Sequence, residues 1–124
     1  MEKQERVVVS DIERTVIDGL RQPEYCRGFT EVAKGFWMHR GEANVQGLVE
    51  YALRLHVGAV IRRAGHLLEA CDIPAPGQVE RLRERPTDAY QFLDPLMPPE
   101  GRYLARWRLR LDVSLEEIQT VVRT

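Results

Sequence analysis

The run SDIERTVIDGL (Ser10–Leu20) crowds Ser10, Asp11, Glu13, Arg14 and Asp18 into little more than two helical turns. Carboxylates gathered this closely could hold a divalent cation and support metal-dependent phosphodiester cleavage. The spacing argues for a different use. Ser10 and Glu13 stand at the S-x-x-E interval of a capping box, in which each side chain satisfies a backbone N–H at a helix start. Asp11 and Glu13 also fall in the first turn, where the helix dipole favours negative charge. Ile12, Val16, Ile17 and Leu20 share one face, and Arg14 and Asp18 pair on the other at i,i+4. The five polar residues therefore read as a structural motif, with no catalytic residue among them.

A second constellation lies near the C-terminus. Arg102, Arg106, Arg108 and Arg110 fall close together, and the stretch Arg106–Asp112 alternates polar with apolar as a half-buried strand does. On one strand, Arg106, Arg108 and Arg110 would point the same way at about 6.6 Å intervals. Such a row needs an anionic counterpart: nucleic-acid phosphate, an acidic protein surface, or carboxylates of the same chain such as Glu116 or Asp88. The competing reading is an exposed strand that uses charge to prevent edge pairing. Arg62 and Arg63 would extend the basic surface, although on their own they read as a solvated helix face. Arginine supplies sixteen of the 18 basic side chains, which favours planar, bidentate contacts to carboxylate or phosphate.

Other chemistry finds little support. His66 and Glu69 have the helical spacing of bundle metal sites, but only Glu50 and His56 stand by to help, so no metal is expected. Cys26 and Cys71 form no CxxC or Cys/His pattern and read as two buried thiols. No nucleophile elbow, phosphate-binding loop or dinucleotide fingerprint occurs, and no cofactor is expected. Trp37, Trp107 and Phe92 read as core or interface anchors and not as a stacking platform for bases.

The elements that must position these residues follow from periodicity. Val7–Val9 reads as a short buried strand, and Gln22-Pro23 closes the first helix. Thr30 is the expected cap of a second helix with Val32, Ala33, Phe36 and Trp37 inward. Residues 45–73 carry a strong helical period, expected as two helices meeting near Gly58, and Pro76 suits the first turn of a shorter one. Tyr90–Leu93 is strand-like. Ser114 and Glu117 repeat the capping box before a last helix through Leu115, Ile118, Val121 and Val122. The sum is a helix-rich α+β single domain with a short N-terminal strand and a C-terminal strand pair. Its 124 residues, 44% hydrophobic and 30% charged, suit one domain. A net charge of -1 gives the whole chain no field for nucleic acid. No apolar run approaches the roughly 20 residues that span a bilayer. A polar N-terminus without a secretory signal makes the cytoplasm the expected location.

Several segments resemble a known family. Val9–Asp18 resembles the VSDPERTLLD motif of the C-terminal domain of AbiEi-type antitoxins. Pro23–Gly28 with Glu31-Val32-Ala33 is similar to that family's proline-to-glycine loop and E-V-A helix. Arg63–Glu69 is similar to its R-L-G-Y-L-L-E segment. Leu93-Asp94-Pro95, Gly101 and Arg106–Leu109 are similar to its closing L-D-P, glycine and R-W-R-L elements. The order holds over nearly the whole chain, with Ile12 in place of a proline and Arg27 in place of a loop glycine. The resemblance implies a type IV toxin–antitoxin, or phage-defence, setting. There the antitoxin is a transcriptional regulator with an N-terminal winged helix-turn-helix, and its C-terminal domain counters a nucleotidyltransferase-like toxin without a stable complex. No helix-turn-helix precedes Val7, so residues 1–124 are expected as the antitoxin effector half alone.

The expected function is thus a non-enzymatic antitoxin or regulatory domain. The alternatives are a protein-interaction or dimerisation domain of a transcriptional regulator, anchored by Trp37 or Trp107, and a degenerate metal-dependent nuclease using Asp11, Glu13 and Asp18.

Overall fold

The capping box forms as its spacing predicts. In the computed structural model, which describes residues 10–84, 90–98 and 100–122, helix α1 runs Asp11–Arg21. The Ser10 N–H donates to Glu13 Oε1 at 2.7 Å, and the Ile12 N–H donates to Ser10 Oγ at 3.3 Å. Val7–Val9 and Asp88 lie outside the described residues. Gln22 ends α1, and Pro23–Cys26 makes a 3-10 turn into Arg27 and Gly28, with φ of 67° and 100°.

Helix α2 (Phe29–Met38) is not capped by Thr30. Its cap comes from far along the chain, where Asp94 Oδ2 accepts the Phe29 N–H at 2.9 Å. The backbone at Gly28 turns that N–H toward the aspartate, and a Cβ there would sit 2.7 Å from Asp94 Oδ2. Glycine is what leaves room for the carboxylate. Val32, Ala33 and Phe36 are buried and Trp37 is half-buried, the expected stripe.

Two helices fill the long periodic segment: α3 (Val45–Leu55) and α4 (Gly58–Ala70). His56, in the left-handed region at φ 56°, turns the chain between them just ahead of Gly58. Helix α5 (Pro76–Arg83) starts on its proline. Helix α6 (Leu115–Val122) opens with the second box, Ser114 N–H to Glu117 Oε1 at 2.9 Å and Glu117 N–H to Ser114 Oγ at 3.0 Å.

Helix α4 is the axis of the core. It packs against α1, α3, α5 and α6, and every residue from Val60 to Leu68 is buried. Ile17, Leu20, Phe29, Leu48, Leu67 and Leu68 meet around it with no exposed surface. Each such side chain contributes about 1.5–3 kcal/mol by leaving water. Helix α2 lies outside α1 and closes on α6.

The C-terminal half carries a three-stranded sheet where a strand pair was expected. Strands β1 (Gln91–Phe92), β2 (Arg102–Leu104) and β3 (Leu109–Leu111) lie in the order β1-β3-β2, with β3 parallel to β1 and antiparallel to β2. The expected strand from Arg106 to Asp112 is therefore cut short. Arg106 and Trp107 sit in a turn, and Arg108 takes φ 52°. Tertiary packing overrides the alternation here. Trp107 is 3% exposed and lies flat on α4 over Gly65, where a Cβ would come 2.1 Å from the ring. No helix among the described residues is long and apolar enough to cross a membrane.

Candidate functional site

Strand register builds one surface that the sequence only half announces. Phe92, Arg110 and Tyr103 are cross-strand neighbours and share a face of the sheet, while Leu104 and Leu109 turn to the other, where Leu109 is fully buried. The Arg110 guanidinium lies over the Tyr103 ring at 4.7 Å and over Phe92 at 5.8 Å. Its Nε donates to the Gly101 carbonyl at 3.1 Å. Tyr90 meets Tyr103 edge-on at 5.1 Å, and Arg108 stands 5.7 Å over the Tyr90 ring. Cation–π contact holds both guanidinium groups over aromatic surface. Among the described residues no carboxylate pairs with Arg102, Arg108 or Arg110. Arg102 is exposed, but opposite Leu111 it belongs to the other side of the sheet.

The remaining expected members of the basic surface are elsewhere. Arg106 is held by Glu69, its Nε donating to both carboxylate oxygens at 2.8 and 2.9 Å and its Nη2 joining in. Trp107 Nε1 donates to Glu69 Oε1 at 2.7 Å. Burial alone would raise the Glu69 carboxyl, but these donors hold it below its ordinary value. The three-arginine ladder therefore does not exist as one row, and the carboxylate that meets Arg106 is Glu69, not Glu116 or Asp88. Arg62 and Arg63 are corrected more sharply: at 5% and 4% exposed they are core residues, not a solvated face. Arg63 donates from Nη1 to the Leu20 carbonyl at 2.7 Å and from Nε and Nη2 to the Phe92 carbonyl at 3.1 and 2.8 Å. Its position three residues after Val60 and four before Leu67 already placed it in the apolar phase of the helix. Trp107 is too enclosed to anchor a partner, and Trp37 is covered by Arg40, 3.6 Å from the ring.

The acids of α1 do not converge. Asp11 and Asp18 share the outer face two turns apart, whereas Glu13 points inward and is 1% exposed. Glu13 Oε2 accepts the Asn44 N–H at 2.8 Å, tying the start of α3 to that of α1. Burial raises its carboxyl, but the Asn44 and Ser10 hydrogen bonds bring it below the usual range. Arg14 is exposed. Among the described residues no cluster of three or more His, Cys, Asp or Glu could hold a metal. No disulfide joins Cys26, half-buried, and Cys71, buried.

No protein-family model, curated protein or solved structure matches the chain. The site is read from its own chemistry.

Two titrating groups, the half-buried Asp112 and the buried His66, are pushed away from their ordinary values. Asp112 Oδ1 accepts the Asp94 N–H at 2.9 Å, and its Oδ2 is enclosed without a partner. Burial, opposed by that N–H and by Arg63, pushes the Asp112 carboxyl up to about 6. His66 stacks on Phe29 at 6.5 Å with Nε2 enclosed, and burial pushes it down to about 4 against the pull of Glu69. The two act on stability in opposite senses. Asp112 contributes fully below its ordinary 3.8 and loses that contribution as pH rises through about 6. His66 contributes fully above 6.5 and loses it as pH falls through about 4. From pH 4.5 to 6 the slopes oppose, so the wild-type melting temperature is expected to vary little. Asp112→Asn uncovers the histidine slope, up to about 1.4 kcal/mol per pH unit lost on acidification. Thermal melts across that range check this; a flat profile in Asp112→Asn would contradict it.

Proposed function

We propose that the chain is a non-enzymatic regulatory domain, equivalent to the effector half of an AbiEi-type antitoxin, that counters a nucleotidyltransferase-like toxin. One observation supports the reading above the others. The segments that carry the resemblance, scattered along the chain, hold one another in the fold. Glu69 binds Arg106 and Trp107, and Gly65 lies beneath Trp107. Asp94 caps α2 beside Gly28, and Gly101 at φ 119° sits where a Cβ would press on the Leu111 carbonyl. Residues so interdependent make one architecture, which supports a family signature over chance matches. It also gives the motif residues structural work, and the face formed by the exposed Arg108 and Tyr103 with the half-buried Arg110 and Tyr90 becomes the working surface. Contacts from that face to phosphate would position a partner without reading sequence.

The test is co-expression with a nucleotidyltransferase-like toxin. The full chain is expected to restore growth, and Arg108→Ala/Arg110→Ala to weaken the rescue while melting like wild type. Size-exclusion chromatography should show the two proteins eluting apart. A folded chain that leaves growth arrested would overturn the proposal.

A further inference from the structure

Helix α4 begins without a side-chain cap. Its N-cap is Val57, which has no polar side chain to offer, and its first residue is the exposed Gly58. The opening N–H groups of a helix carry partial positive charge and favour an anion. A bare helix end is ordinarily just hydrated backbone. Arg62, one turn on, sets this one apart. It is 5% exposed, yet its Nε and Nη1 are enclosed with no hydrogen-bond partner. Its Nη2 turns back onto the first turn, 3.4 Å from where a Cβ on Gly58 would stand.

The neighbouring arginines show how unusual this is. Arg63 spends its nitrogens on two carbonyls, and Arg106 is gripped by Glu69. Arg62 has given up water and met no carboxylate. The charge that stands near it is of the same sign: burial first, then repulsion from Arg108, lowers the Arg62 guanidinium from its ordinary value. Arg108 is itself held at φ 52°, a conformation that glycine would adopt more cheaply. A buried guanidinium and a helix start meet, within the field of Arg108, where the described residues supply no anion.

We infer that the start of α4 is a binding site for a phosphate group, formed by the Gly58 and Ala59 N–H groups, Arg62 and Arg108. A phosphate dianion meets two guanidinium groups better than a carboxylate does, and the absent side chain at Gly58 lets oxygen approach the backbone. Tyr90, beneath Arg108, offers a ring on which a base can stack. The ligand class is a phosphate monoester, carried by a free nucleotide or by the 5′ end of a nucleic acid. The inference rests on Arg62 and the helix start, so the antitoxin proposal and this site stand or fall separately.

The experiment uses the full chain and follows melting temperature and calorimetric binding. The probes are inorganic phosphate, AMP, and a dinucleotide with either a 5′-phosphate or a 5′-hydroxyl, each against chloride at equal ionic strength. Phosphate-bearing probes are expected to raise the melting temperature of wild type. Arg62→Met is expected to melt at or above wild type without ligand, because it removes an uncompensated buried charge. It should also lose about tenfold or more in phosphate affinity, as loss of a charged donor does, and Arg108→Ala should weaken binding in the same direction. AMP binding more tightly than the dinucleotide identifies a nucleotide site; preference for the 5′-phosphorylated dinucleotide identifies a nucleic-acid end. Absence of any phosphate-dependent shift, an undiminished shift in Arg62→Met, or a marked drop in its ligand-free melting temperature would each overturn the inference.

Discussion

Gly65→Ala is expected to cost the domain about 3 kcal/mol or more, at the upper end of what overpacking a core usually costs. The added methyl would lie 2.1 Å from Cη2 and 2.2 Å from Cζ3 of Trp107, well inside contact distance. The indole cannot retreat cheaply. It is 3% exposed and its Nε1 is committed to Glu69. Moving it breaks that hydrogen bond, disturbs the Arg106–Glu69 pair, and drags the turn that leads into β3. Urea unfolding of Gly65→Ala beside Gly65→Ala/Trp107→Leu separates overpacking from intrinsic helix effects. Alanine has the better helix propensity by about 1 kcal/mol, so the double variant should recover part of the loss. A single variant as stable as wild type would mean that Trp107 does not lie on α4.

Arg63→Ala is expected to cost about 3–5 kcal/mol, the range for removing one member of a buried charged network. Arg63 joins three elements at once, reaching the last turn of α1 through the Leu20 carbonyl and β1 through the Phe92 carbonyl. Alanine takes the donor from the buried Leu20 oxygen and the part-buried Phe92 oxygen and opens a cavity in the most enclosed helix. Burial lowers the Arg63 guanidinium, and Glu24, Asp112 and Asp94 offset part of that. Without it, Asp94 and Asp112 face each other with less compensation. Arg63→Lys should fall between, because one ammonium cannot replace a planar fork that spans two carbonyls. Chemical unfolding of both variants checks the order, and a lysine variant as stable as wild type would show that charge, not the fork, is what the site requires.

Local signals were legible in the sequence and distant ones were not. Both capping boxes, the break near Gly58, the proline start of α5 and the α+β class follow from residues within a turn or two of one another. Asp94 as the cap of α2 could not be seen, because Thr30 offered a local candidate and Asp94 lies sixty-five residues from Phe29. The Arg106–Asp112 alternation misled for a similar reason: Trp107 answers to Gly65, not to its strand neighbours. Arg62 and Arg63 look like surface in the sequence because their charge outweighs their phase. On a helix buried all round, the period no longer separates an inner from an outer face. Tyr90 and Tyr103 gained meaning only when β3 paired with β2.

The reach of Asp94 carries a consequence for synthesis. While the ribosome is still translating the middle of the chain, the first turn of α2 has no acceptor for its leading amide. The carboxylate that completes it emerges sixty-five residues later. Helices α1 to α4 can collapse on each other early, but the nascent bundle stays open at one end until the sheet segments are released.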